Sequence, residues 1–215
     1  MSGEVFDREA TNYDAWYESP EGAALFETEL EALRPLSAES GSESLEVGVG
    51  SGRFAERLGI AYGVDPAIAP LRIARRRGIE SIAATGEQLP FRDSVFATVT
   101  FVFTLCFVTD AVRTLQEAVR VLRPNGVVII GVVPADGPLG QHYQSLGRSG
   151  HRIYRYARFF DRPALEQLLR AAGLTEVRIR SAVIRVVDET IVPGPVQDGD
   201  QPDAGFLVIA ARKTS

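Results

Sequence analysis

Apolar residues recur along this chain with two different periods. In the stretch after Pro20, Leu25, Phe26, Leu30 and Leu33 fall on one helical face. Ser19-Pro20-Glu21 supplies a capping hydroxyl, a proline at the first helical position and an early acid, and Pro35 is expected to close the element. A polar linker, SAESGSES (37–44), follows. Short apolar runs then alternate with amphipathic segments. Strands are predicted at 44–48, 60–64, 79–83, 95–102 and 126–133, and helices at 52–58, 67–77 and 110–122. Val112, Leu115, Val119 and Leu122 give the last of these its apolar face, and Asn125-Gly126 turns the chain into the continuous run VVIIGVV, suited to a strand covered on both sides. Such alternation predicts parallel strands joined by crossover helices. Residues 134–157 lack clear periodicity and read as a loop or covering segment, with the candidate insertion spanning 134–160. Asp161-Arg162-Pro163 opens another amphipathic helix through Leu165, Leu168 and Leu169, stopped at Gly173. Two tail strands, VRIRSAVIRVV and AGFLVIAARK, joined by a Gly/Pro/Asp-rich loop (193–205), are expected to form an antiparallel pair. The fold class is thus α/β, a doubly wound, mostly parallel sheet in one domain over 1–215, with residues 1–36 as an N-terminal helical lid.

Length and charge add limits. A chain of 215 residues can bury a full core. The formal charge of −5 argues against a general nucleic-acid binder. The lone cysteine, Cys106, rules out an internal disulfide and a cysteine-based metal cluster, and no metal is expected. No apolar stretch reaches the ~20 residues of a membrane span, and the N-terminus lacks a signal-peptide core. A cytoplasmic protein without membrane insertion, monomer or homodimer, is the expectation.

The chemistry centres on EVGVGSG (46–52). Glycines at alternate positions directly after a strand allow a ligand to approach the backbone, although packing alone also selects glycine in such turns. Glu46 sharpens the reading: a fixed carboxylate beside the loop opposes a pyrophosphate and favours an ammonium or sulfonium group. The third glycine of a dinucleotide pattern would fall at Arg53 rather than at Gly52, which disfavours an NAD-linked oxidoreductase. In GVDPA (63–67), Asp65 ends the second strand over the same crevice, where it can accept ribose hydroxyls or cap the next helix.

EVGVGSG, GVDPA, TGEQLPFRDSVFATV (85–99) and EAVRVLRPNGVVIIGVV (117–133), in that order and spacing, resemble the class I S-adenosylmethionine-dependent methyltransferases, especially the ubiquinone/menaquinone C-methyltransferase group. The resemblance implies a seven-stranded sheet with a late antiparallel strand, S-adenosylmethionine as donor and S-adenosylhomocysteine as product. It places Glu46, Gly48 and Gly50 on the methionine part, with Gly52 holding the turn. Asp65 falls at the ribose, Pro66 and Ala67 beside the adenine, Gly86, Glu87 and Gln88 along its edge, and Thr104 and Leu105 near the sulfur. Thr85 stands where the family often has Asp, and a hydroxyl is the weaker acceptor there.

Methyl transfer to a small-molecule substrate by in-line displacement needs positioning above all, and a base only where the nucleophile must lose a proton. A cofactor-binding protein without catalysis uses the same core motifs and stays an alternative. Tyr13 and Trp16 in NYDAWYESP precede the core, where an aromatic face can contact cofactor or substrate or simply pack. His142 is a candidate base, His151 a weaker one; Cys106 lacks the Pro-Cys context of pyrimidine-carbon methylation and reads as an inert thiol. The stretch after the fourth strand also lacks the Asp/Asn-Pro-Pro-aromatic signature of base-amino methylation. Arg148, Arg152, Arg155 and Arg158 could face an anionic substrate or water.

Overall fold

A computed structural model describes residues 2–37 and 43–213. Two helices come first, α1 (Ser2–Trp16) and α2 (Pro20–Ser37). Ser19 makes the corner between them. Its hydroxyl donates to the Trp16 carbonyl (2.7 Å) and accepts from the Gly22 N–H (3.0 Å), so one side chain closes α1 and opens α2. Contrary to the sequence reading, α2 runs past Pro35 to Ser37. Proline removes the N–H that would bond the Glu31 carbonyl four residues back. The Arg180 guanidinium takes that carbonyl instead (2.6 Å) and reaches Ala32 O at 3.2 Å, which satisfies the break.

The alternating segment follows: β1 (Ser44–Val47), α3 (Arg53–Leu58), β2 (Tyr62–Asp65), α4 (Ile68–Arg76), β3 (Glu80–Ala83), β4 (Phe96–Val102), α5 (Ala111–Val121) and β5 (Leu122–Val132). Next come α6 (Pro138–Arg148), a single 3-10 turn (Tyr154–Tyr156), α7 (Arg162–Ala171), β6 (Leu174–Val187), β7 (Thr190–Asp198) and β8 (Ala204–Lys213). They build one eight-stranded sheet in the order β3-β2-β1-β4-β5-β8-β6-β7. β1 to β5 pair in parallel, and β8 slots antiparallel between β5 and β6. From β1 the chain winds outward to β3, then returns to the other side of β1 as β4. The carboxyl ends of β1 and β4 therefore flank the crevice where doubly wound sheets bind ligands.

Side chains alternate across the strands as the pleat requires. Leu45 and Val47 of β1, with Leu207 and Ile209 of β8, pack toward Leu115 of α5 and Leu165 and Leu169 of α7. Phe206 and Val208 of β8 point the other way, onto Leu30 and Leu33 of α2. Each such fully buried side chain contributes about 1.5–3 kcal/mol relative to exposure.

Two further expectations are corrected. The sheet has eight strands rather than seven, because Thr190–Asp198, which runs into the stretch 193–205 read as a loop, pairs antiparallel with β6. Pro193, Gly194 and Pro195 masked it; β7 is an edge strand, where missing N–H groups are tolerated, and Pro193 stands opposite Ile184. The segment 134–157 is not structureless either, since it contains α6. Gly140 and Gly147 look like helix breakers but are packing positions. A Cβ at Gly140 would overlap the Pro134 carbonyl, and one at Gly147 would lie 2.8 Å from the Tyr154 carbonyl.

Candidate active site

Where β1 leaves the sheet, Gly48, Gly50 and Gly52 all take left-handed conformations, with φ of +74°, +52° and +78°. Gly48 is confined further. A Cβ there would overlap Thr104, whose hydroxyl donates to the Val47 carbonyl (2.9 Å) and so ties the end of β4 to the end of β1. The Gly48 and Val49 N–H groups both donate to the Val64 carbonyl (2.8 and 3.0 Å), folding the loop over β2.

Asp65, the last residue of β2, closes the turn. Its Oδ2 accepts from the Gly50 N–H (3.0 Å) and its Oδ1 from the Ala67 N–H (2.8 Å). Burial raises the Asp65 pKa, and these two amides pull against the rise. Each carboxylate oxygen keeps capacity for a further donor. Glu46 lies on the neighbouring strand, only 2% exposed. The Ala55 backbone N–H in the first turn of α3 draws its pKa down, while its Oε2 is buried with no hydrogen-bond partner. Burial, reinforced by the charge of Asp65, pushes the Glu46 carboxyl well above the usual range. An orphaned acceptor of this kind calls for a hydrogen-bond donor, and a positively charged one would also restore the carboxylate. A cofactor carrying an ammonium group fits that chemistry.

On the other side of the crevice, the segment after β3 is held to the start of α5. Glu87 Oε1 accepts from the Thr109 (2.8 Å) and Asp110 (3.3 Å) N–H groups. Gly86 is required by closeness, as a Cβ there would lie 2.8 Å from Thr114 Cγ2 and 3.1 Å from Val47 Cγ1.

One cavity of about 470 Å³ joins these parts. Glu46, Gly48, Gly50, Asp65, Pro66 and Thr104 line it, and so do Thr85, Gly86, Glu87 and Tyr13. Four expected residues are not on its wall. Gly52 packs on Ala74 of α4, Ala67 is fully buried, Gln88 is exposed, and Leu105 is sealed in the core. His142, on α6, lines neither this cavity nor its neighbour; its ring lies beside Tyr143 at 5.8 Å.

The neighbour is a second cavity of about 340 Å³ that shares Phe6, Tyr13, Tyr17, Phe103 and Phe107 with the first. Its walls are mainly aromatic. Trp16, Tyr143, Tyr154 and Phe159 complete them, with Tyr143 and Tyr154 stacked at 4.1 Å. Tyr13 stands between the cavities; its hydroxyl lies 3.3 Å from that of Tyr17. Cys106 reaches this wall too, donating to the Phe103 carbonyl at 3.2 Å. Burial pushes its thiol up to about 12, so it stays protonated, as an inert thiol should. His151 and Arg152 border the same space, Arg152 paired with Glu9 of α1 at 2.9 Å. Arg155 lies over the Tyr156 ring and Arg158 over the Phe160 ring, so the arginine series does not converge on one point.

Helix α1 roofs both cavities, and its attachment was not foreseen from sequence. Asp14 Oδ1 accepts from the Ser51 hydroxyl (2.6 Å), Arg53 Nε (3.2 Å) and Arg77 Nη1 (3.0 Å), and Oδ2 accepts from Arg77 Nη2 (3.0 Å). Nearer the N-terminus, Asp7 accepts from the Ala69 N–H at 2.7 Å. Glu29 of α2, 2% exposed, on the wall of the aromatic cavity, was also unforeseen. Its position in the apolar stripe between Leu25, Phe26 and Leu33 was a signal available in the sequence.

Among the described residues no helix is long and apolar enough to cross a membrane. A family profile described as a methyltransferase domain matches residues 45–130. The chain is 40% identical over 211 residues to an uncharacterized protein of Mycobacterium tuberculosis, covering 95% of this chain and 72% of that one. It is 31% identical to the malonyl-[acyl-carrier protein] O-methyltransferase of Geobacter sulfurreducens, over 81% of this chain and 70% of the relative. Quinone methyltransferases match as well. Among solved structures, an S-adenosylmethionine-dependent methyltransferase of Thermotoga maritima, described as a possible histamine N-methyltransferase, superimposes with a TM-score of 0.89 at 33% identity, both chains covered in full. With S-adenosylmethionine as its methyl donor, the chain belongs to the class I S-adenosylmethionine-dependent methyltransferases.

Proposed function

We propose that the protein transfers a methyl group to a small-molecule acceptor held in the aromatic cavity, by in-line displacement, with the donor in the crevice of the glycine loop. The observation that carries this reading is the common wall of the two cavities at Tyr13, Phe103 and Phe107. S-adenosylmethionine supplies, when bound, an electrophilic methyl on a positively charged sulfur. Glu46 and the Gly48–Gly50 backbone would hold its amino acid tail, Asp65 its ribose hydroxyls, and Pro66 with Thr85 to Glu87 its adenine. Tyr13 offers an aromatic face where the two compartments meet.

Positioning is then the chain's main contribution, with α1 and the aromatic walls lining the space for the acceptor. At about 340 Å³ the acceptor cavity suits a compact molecule. The Geobacter relative is named for a carrier-bound acceptor and the Thermotoga protein for a free amine, so both acceptor sizes have a precedent. The volume favours the smaller. The test is release of S-adenosylhomocysteine when S-adenosylmethionine is supplied with panels of low-molecular-weight acceptors and, separately, an acyl-carrier protein. Turnover with a small acceptor supports the reading; turnover restricted to the carrier protein overturns it.

A further inference from the structure

Among the described residues, the aromatic cavity contains one fully buried side-chain oxygen without a hydrogen-bond partner. Glu29 projects from the third turn of α2 into a lining of Tyr13, Trp16, Tyr17, Tyr143, Tyr154 and Phe159. Its Oε2 is buried and has no hydrogen-bond partner. Leaving a buried carboxyl without a partner costs folding free energy, whether ionised or not. Nothing in the packing of α2 requires it, for its stripe neighbours Leu25, Phe26, Leu30 and Leu33 are all apolar and buried.

We propose that Glu29 is the recognition group for a protonated amine, so that the acceptor is a compact primary or secondary amine bound with its ammonium nitrogen at Glu29, among the tyrosine faces. This rests on the methyltransferase reading above and names the substrate class for that site.

The surroundings of Glu29 agree. Aromatic faces attract an ammonium group, most strongly where water is excluded. The charged or titratable neighbours on the same wall are Glu9, Cys106, His151 and Arg152 besides the tyrosines. Arg152 is already paired with Glu9, and its side chain is 74% exposed, so an anionic acceptor would meet Glu29 with no free inward cation on this wall to offset it. Burial holds the Glu29 carboxyl well above its ordinary range. An ammonium beside it would restore the charged form, and the same pair can share the proton the other way. The N–H bond breaks, an O–H bond forms on Glu29, and the nitrogen lone pair is left free as the nucleophile.

Isothermal titration on the full chain tests this. S-adenosylhomocysteine is titrated first, and then, on the saturated protein, phenethylamine, phenethyl alcohol and hydrocinnamate, for wild type and Glu29→Gln. The expected result is amine binding at least about tenfold tighter than alcohol or acid in wild type, equivalent to about 1.4 kcal/mol. Glu29→Gln should lose that preference and keep its affinity for S-adenosylhomocysteine. Alcohol or acid binding as tightly as the amine, no amine binding at millimolar concentration, or a preference that survives Glu29→Gln would each overturn the inference. Failure of wild type to bind S-adenosylhomocysteine would instead overturn the donor site beneath it. A ligand-free melt gives a second readout. Glu29→Leu should raise the midpoint by about 3 °C or more, since an unsatisfied carboxyl is removed; a fall would show that Glu29 serves folding, and would overturn the inference.

Discussion

Asp14 offers the most quantitative check on how α1 is held over the cavities. Its carboxylate receives two bonds from the Arg77 guanidinium and one each from Arg53 and Ser51. Burial alone would raise its pKa, but the bonds from Arg77, Ser51 and Arg53 together outweigh burial and hold it at about 2, below the ordinary 3.8. The lowering from 3.8 to about 2 corresponds to about 2.5 kcal/mol. Solvent reaches the network, where Glu18 and Glu56 add exposed partners to the same arginines, so about 1 kcal/mol is the realistic share after screening. Asp14→Asn keeps the shape and removes the charge. At pH 7 its thermal midpoint should fall by about 3 °C relative to wild type, given 2–4 °C per kcal/mol for a chain of this size. The folded pKa is depressed, so this contribution is complete above pH ~4 and is lost as pH falls toward 2. Urea titrations of both proteins from pH 7 downward would therefore show the gap closing below pH 4. Equal midpoints at pH 7, or a gap that widens in acid, would refute the reasoning.

Other consequences follow from single residues. Asp65→Ala removes the acceptor for the Gly50 and Ala67 amides and the proposed ribose partner; affinity for S-adenosylhomocysteine should fall about tenfold or more by calorimetry, and an unchanged value rejects the ribose assignment. Gly48→Ala forces a Cβ into a left-handed residue against Thr104, with a folding loss of at least about 1–2 kcal/mol in denaturant melts; a neutral result would mean the loop readily takes another conformation. His142→Ala should leave both cofactor affinity and turnover near wild type, because the ring lies outside both cavities; a large fall in turnover would restore it as a base.

The parallel half of the sheet was legible because apolar runs such as those of β1, β4 and the latter part of β5 alternate with amphipathic segments, and the glycine loop because its conformation is encoded at Gly48 and Gly50 themselves. Asp65 could be placed from its position at the end of β2. β7 was hidden since its prolines carry no strand signal until the edge position is known. α6 was hidden by Gly140 and Gly147, whose reason is contact with Pro134 and Tyr154, residues the local pattern cannot bring together. The same applies to the aromatic cavity. Phe6, Glu29, Phe103, Tyr143 and Tyr154 come from five separate segments, and only tertiary packing makes them neighbours. Leu105 was misplaced by one position: the turn after β4 sends Phe103, Thr104 and Cys106 to the cavities and Leu105 into the core.

Thermal unfolding with S-adenosylmethionine, S-adenosylhomocysteine and NADH tests the central claim most directly. A ligand that binds only the folded state, at ~100 times its dissociation constant, adds about 2.7 kcal/mol, or roughly 5–10 °C in midpoint for this length. Both adenosyl ligands should produce that rise and NADH none, as a buried Glu46 oxygen beside the glycine loop requires. A rise with NADH alone would contradict the assignment of the crevice and everything built on it.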